Sequence, residues 1–126
     1  MISIYIDEVL NSNTELLDLV DSISPLIVTT ESRGTTISYY TTGITPTYIK
    51  NSLVSDTYTV NLEVWGNTFT DVVKASVKAR TLLESSTGSV EGLNVVSCRL
   101  STGSSGVSED GENYVYKHTY ELKINY

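Results

Sequence analysis

Residues 57–84 read TYTVNLEVWGNTFTDVVKASVKARTLLE, and this stretch sets a strand directly against a helix. In its first half Tyr58, Val60, Leu62 and Val64 share one face. Thr57, Thr59, Asn61, Glu63 and Trp65 share the other, the alternation of a half-buried antiparallel strand. Gly66-Asn67 ends the run. Thr68 and Asp71 then stand at capping-box spacing, with Asp where Glu is usual. Over 69–84, Phe69, Val72, Val73, Ser76, Ala79 and Leu83 form a stripe that can lie on a sheet. Lys74, Lys78 and Thr81 fall opposite. Arg80 projects beside the stripe. It is either a side chain whose stem packs while its head reaches water, or a contact to another subunit.

Working outward, residues 2–21 show helical spacing twice. Ile2, Ile6, Val9 and Leu10 make one run and Leu16, Leu17 and Val20 the other. Asn11-Ser12-Asn13 separates them, and Asn13 or Thr14 can cap the second. Two short helices with a break are expected, one bent helix being the alternative. Ser24-Pro25 stops the second run, and residues 26–28 are expected to be extended. Residues 35–42 read as a strand with Ile37 and Tyr39 on one face and Thr36, Ser38 and Tyr40 on the other. Residues 43–56 are expected to form a long loop, and 84–92 a polar one. Residues 94–100 read as a strand with Val96, Cys98 and Leu100 inward. The Gly/Ser-rich, acidic stretch 101–113 is expected to be a flexible loop. Residues 114–126 alternate throughout, with Tyr114, Tyr116, His118, Tyr120, Leu122, Ile124 and Tyr126 on one side. At ~3.4 Å per residue this strand exceeds about 40 Å, so part of it is expected to run beyond the sheet. The sum is a single α+β domain over 1–126. One antiparallel sheet of about four strands has the 69–84 helix on one face and helical segments at its N-terminus.

Charge and composition narrow the function. The chain of 126 residues has a net charge of −7, and residues 1–32 hold six acids and no Lys or Arg. No basic patch offers a grip on phosphates, so tight nucleic-acid binding is not expected. The single cysteine, Cys98, excludes an internal disulfide and a cysteine-rich zinc site. No apolar run is long enough to span a membrane as a helix. The N-terminus lacks the basic and apolar blocks of a signal peptide, so a soluble intracellular protein in a reducing compartment is expected.

Little in the sequence carries chemistry. Folding the last hairpin about residue 107 places Cys98 and His118 on one apolar face, and a thiolate–imidazole pair is a known nucleophile. Against it, a buried Cys is a small hydrophobe, and both residues sit mid-strand under a helix. Glu109, Asp110 and Glu112 lack the ligand spacing of a calcium loop. Gly103 to Gly106 is not followed by the Lys of a phosphate loop. No catalytic residue, metal or cofactor is therefore assigned. The second face of the sheet is polar yet carries Trp65, Tyr40 and Val115. Such a face suits an interface, although strand propensity alone also favours Thr and aromatics.

The segment 58–85, followed by a hairpin ending YVYKHTYELKINY, resembles phage tail-completion (tail terminator) proteins. The matching features run in order along nearly the whole chain: Pro25 before a strand at 35–42, then 58–65, 68–84, 94–100 and 114–126. The resemblance implies a structural virion protein, not an enzyme. Such a protein forms a ring, typically hexameric, at the head-proximal end of the tail tube, ends tube polymerisation and provides the head or neck attachment surface. Its partners would be copies of itself, the tail tube protein and a neck or connector protein, with no membrane. DNA would pass through the ring without specific binding. It would be located at the tail–neck junction of the virion, and in the host cytoplasm during assembly. On this reading the contact regions are the 43–56 loop with Tyr48, the 101–113 loop with Glu109 and Asp110, and Trp65, Arg80 and Tyr40. A tail tube or head–tail connector subunit of related fold is the alternative. A small Cys/His enzyme is a third.

Overall fold

The computed structural model describes residues 2–25, 34–107 and 111–126. The elements are α1 (Ile2–Asn11), α2 (Thr14–Leu19), β1 (Ser22–Pro25), β2 (Thr36–Ile49), β3 (Ser52–Gly66), α3 (Phe69–Leu83), β4 (Gly88–Val90), β5 (Leu93–Val107) and β6 (Tyr114–Asn125). The α+β class holds, but the sheet has six strands in the order β1-β2-β3-β6-β5-β4, not about four. β1 joins parallel to β2 and every other pairing is antiparallel. Two strands were hidden by their brevity. β1 has four residues and β4 three, too few for an alternation to show.

The break in the N-terminal helices is real and has a cap. The Asn13 side chain accepts from the Leu16 N–H at 3.0 Å, which starts α2. Asn13→Ala is expected to cost about 1 kcal/mol in denaturant unfolding. Thr68 is different. It occupies the N-cap of α3 but makes no side-chain cap bond, so the expected capping box is not formed. Its hydroxyl donates to the Asn67 side chain instead, at 3.4 Å. Thr68→Ala should therefore leave stability nearly unchanged in the same titration.

The larger correction concerns the two expected loops. Residues 43–49 and 52–56 are the outer halves of β2 and β3, closed by Lys50 and Asn51, both in the left-handed region. That is the two-residue hairpin turn whose twist matches its strands. Residues 101–107 likewise continue β5 and pair with β6 as far as Val107↔Tyr114. Most of these residues are exposed, and the buried ones, Ser55 and Asp56, are polar, so no apolar alternation was left to read. The 84–92 loop also holds structure. Glu91 and Gly92, again at positive φ, turn β4 back onto β5. β6 does not overshoot the sheet, because β3 accompanies it from Tyr114 to Asn125. The expected extended stretch at 26–28 lies outside the described residues.

One core lies between the sheet and the helices. Tyr58, Val60, Leu62 and Val64 of β3 meet Val72, Ala75, Ala79 and Leu83 of α3, all buried. Ala75 belongs to that buried face, whereas Phe69 is half exposed and packs edge-on to Tyr114 at 5.4 Å between ring centroids. In β5 a bulge between Val95 and Ser97 turns Val95 inward, where Val96 was expected. Gly66 closes β3 where the backbone passes α3, and a Cβ there would come 2.7 Å from a Val72 methyl. α1 ties the sheet's two sides together. The Tyr39 hydroxyl of β2 donates to Asp7 at 3.1 Å, and the Tyr5 hydroxyl donates to Ser86, just before β4, at 2.8 Å.

Candidate assembly surface

The register separates the one pair that resembled a nucleophile and its base. Cys98 stands opposite Leu122, while His118 stands opposite Gly103 and Leu62. The ladder runs from Val107↔Tyr114, later than a fold about residue 107 requires, and the bulge between Leu100 and Thr102 takes back only one residue. Cys98 is fully buried. Burial pushes its thiol up from 9.0 to about 12; the Ser86 hydroxyl opposes this and the Glu84 charge adds to it. His118 is pulled below 6.5, first by burial and then by the Arg80 charge. A thiol held protonated beside no base is a poor nucleophile. Among the described residues no cluster of His, Cys, Asp and Glu is placed to hold a metal ion.

The buried thiol gives a pH prediction. In the unfolded chain Cys98 ionises near 9.0 and in the folded chain near about 12. Its contribution to stability is whole below pH 9 and is lost as pH rises toward 12. Tyr5, Tyr39 and Tyr120 are raised above 10.0 chiefly by burial and act in the same direction. Stability should therefore fall steeply at alkaline pH, and Cys98→Ala should shallow the fall between pH 9 and 10. A thiol reagent should label Cys98 only as fast as the chain unfolds.

The residues expected at contacts fall in separate places. Tyr40 and Trp65 share the polar face of the sheet, at opposite ends of a short run: Tyr40 pairs with Asn61 and Trp65 with Thr36. Trp65 is half-buried, and its indole N–H donates to Glu63 at 3.2 Å, while Lys117 approaches the other Glu63 oxygen at 3.6 Å. The Tyr40 hydroxyl accepts a long bond from Asn61 at 3.5 Å, and Asn61 accepts from Thr119 at 2.8 Å. These side chains are already engaged within the subunit, so the polar face is a closed network more than a sticky one. Arg80 lies on the helix layer, exposed, with Glu84 at 3.9 Å. Tyr48 lies at the tip of the β2–β3 hairpin and is 60% exposed. Glu109 and Asp110 lie outside the described residues.

The feature that residue-by-residue reading missed is the pair of sheet edges. β1 covers β2 only from Thr36 to Tyr39, so from Tyr40 to Ile49 the outer side of β2 adjoins no described strand. On the other side, β4 covers β5 only from Leu93 to Val95. The Ser85 N–H then donates to the Cys98 carbonyl at 2.8 Å, and the Leu100 N–H donates to Glu84 at 3.1 Å. From Ser101 to Val107 the edge of β5 is open among the described residues. Ile44, Tyr48, Ile49 and Leu53 expose large apolar surface along the first edge, and Val107 at the end of the second. Long exposed edges of this kind invite strand addition.

Charge is sorted between the layers. On the polar sheet face the strands carry Glu63 and Glu121 against Arg99, Lys117 and Lys123. α1 and α2 carry Asp7, Glu8, Glu15 and Asp18 and no base of their own. Lys78 of α3 reaches Glu15 at 2.7 Å across the helix layer.

No protein-family model matches the chain, and no curated protein does. Among solved structures, the fold matches a chain from the virion of a native gene transfer agent (GTA) particle, with a TM-score of 0.83. The match covers 96% of this chain and 92% of that one at 11% sequence identity, a likeness of fold carried by almost the entire length of both.

Proposed function

We propose that this chain is a structural virion protein whose copies close into a ring at the head-proximal end of a phage-like tail tube. The ring ends tube polymerisation and offers the surface on which the head or neck seats. The observation that carries this reading is the end-to-end fold match to a chain from a gene transfer agent virion. The two edges that are open among the described residues support it physically. A ring requires a heterologous contact, one patch meeting a different patch of the next copy, with a rotation that closes. Edges on opposite sides of one sheet are such a pair of patches. The work is done by shape and adhesion, with no bond-making step.

The same edges suit a tail tube subunit, which is the second reading. Native mass spectrometry and negative-stain microscopy separate the two. A terminator gives one closed ring and caps added tail tubes; a tube subunit stacks into filaments. A chain that stays monomeric at high concentration and leaves tail tubes growing defeats both.

A further inference from the structure

We infer that neighbouring copies join by antiparallel pairing of the β2 edge of one subunit with the β5 edge of the next, offset along the strands by about six residues. The inference rests on the ring reading and specifies its contact.

Strand direction comes first. β2, β3, β6 and β5 alternate in sense across the sheet. Set side by side, the β5 of one copy and the β2 of the next therefore run antiparallel, and the sheet continues without a break in pattern.

The offset follows from what blocks each edge. β1 occupies the lane beside β2 up to Tyr39. Glu84 and Ser85 occupy the lane beside β5 at Leu100 and Cys98. With β4 at Leu93–Val95, that side is covered from Leu93 to Leu100, the levels at which the β2 edge is open, so two copies cannot join level. They must slide along the strands. The slide must also be even in residues, because an odd one would set core-side positions against polar-side positions. Six is the smallest even offset that clears β1. It places Thr45 of one copy opposite Ser104 of the next, both on the polar face, as their partners Thr57 and Lys117 show. Thr41 then meets Val107, and Thr47 meets Thr102.

The slope of this arrangement suits closure. Six residues at ~3.3 Å rise about 20 Å, and four strands at ~4.8 Å span about 19 Å, so the strands lean roughly 45° to the ring axis. Closed barrels lean about 35–45°.

The side chains agree. Ile44 and Tyr48 lie on the helix side of β2, since Ile44 pairs with the buried Tyr58. In the joined sheet they cross the neighbour's β5 toward the flank of its α3 that carries Val77, 60% exposed, and Arg80. The hairpin tip arrives at the neighbour's Glu84 with Lys50 in its turn. Pro46 withdraws one donor from the edge, which blunts indiscriminate strand addition and leaves the donors on either side.

The test is Thr45→Cys combined with Ser104→Cys. Within one subunit these positions sit on different edges, three strand spacings or ~14 Å apart across the sheet and about 20 Å apart along it, too far for a disulfide. Mild oxidation of assembled protein should give a covalent ladder ending at the closed ring. Thr45→Cys with Ser97→Cys, out of register, should yield at least about tenfold less, since Cα atoms more than about 7 Å apart do not bridge. A ring seen by microscopy that fails to cross-link through Thr45 and Ser104 overturns this contact and leaves the ring reading standing. Equal cross-linking by both pairs overturns the register. Absence of any ring, alone or on tail tubes, overturns both.

Discussion

Leu62→Ala is expected to lower the free energy of unfolding by about 2–5 kcal/mol, the range for deleting a leucine side chain from a closed core. Leu62 sits mid-way along β3, flanked by Tyr39 of β2 and His118 of β6, and is 1% exposed. The core residues of β3 and α3 around it, Val60, Val64, Ala75 and Ala79, are themselves buried. At roughly 3 °C per kcal/mol for a chain of this size, the melting temperature should drop by about 6–15 °C. Circular dichroism during heating measures it. A fall of less than about 3 °C would mean that the helix layer does not pack on β3 as described.

The second large effect runs the other way, sparing the fold and removing assembly. Ile44→Asp with Tyr48→Asp alters two side chains that are 55% and 60% exposed on the β2 edge that is open among the described residues. Exposed substitutions away from special geometry usually change stability by less than about 0.5 kcal/mol. The monomer should therefore melt within a few degrees of the parent. Two carboxylates would nonetheless be forced against a neighbour's strand and helix flank, where the single Arg80, already near Glu84, cannot offset the desolvation of both. Ring formation should be lost, as seen by native mass spectrometry at concentrations where the parent assembles. A variant that still forms rings at the parental concentration would exclude the β2 arm from the contact.

The two substitutions mark what the sequence discloses. Leu62 belongs to an alternation of period two, and α3 to a stripe of helical period. Both were legible because burial selects apolar residues on one face only. Asn13 was legible because it punctuates two helical runs. The β2 arm was not legible, for a physical reason. It is extended in the subunit yet buried on neither face, so its TTGITPTYIK carries the Gly and Pro of a loop beside residues that favour strands. The Lys50-Asn51 turn hid the hairpin further, because Lys rarely signals positive φ. A bulge in β5 moved Val96 off the inward side, and a ladder that begins at Val107↔Tyr114 set Cys98 six residues from its expected partner; no sequence pattern announces either. Of the contact residues chosen from sequence, Tyr48 lies on the free edge and Arg80 on the flank it would meet. Tyr40 and Trp65 were chosen as aromatics on a polar face, and their polar atoms are engaged within the subunit.

The layered charge bears on the colloidal behaviour of the unassembled subunit. At a net charge of −7, with four of its fifteen acidic residues and no base on α1 and α2, each molecule repels its fellows over the distance that dissolved ions leave unscreened. That distance is about 30 Å in 0.01 M salt and about 10 Å in 0.1 M. In dilute buffer the subunits hold one another apart before any edge can meet an edge. At cellular ionic strength the barrier contracts to the width of a single strand pair, so added salt should lower the concentration at which association begins.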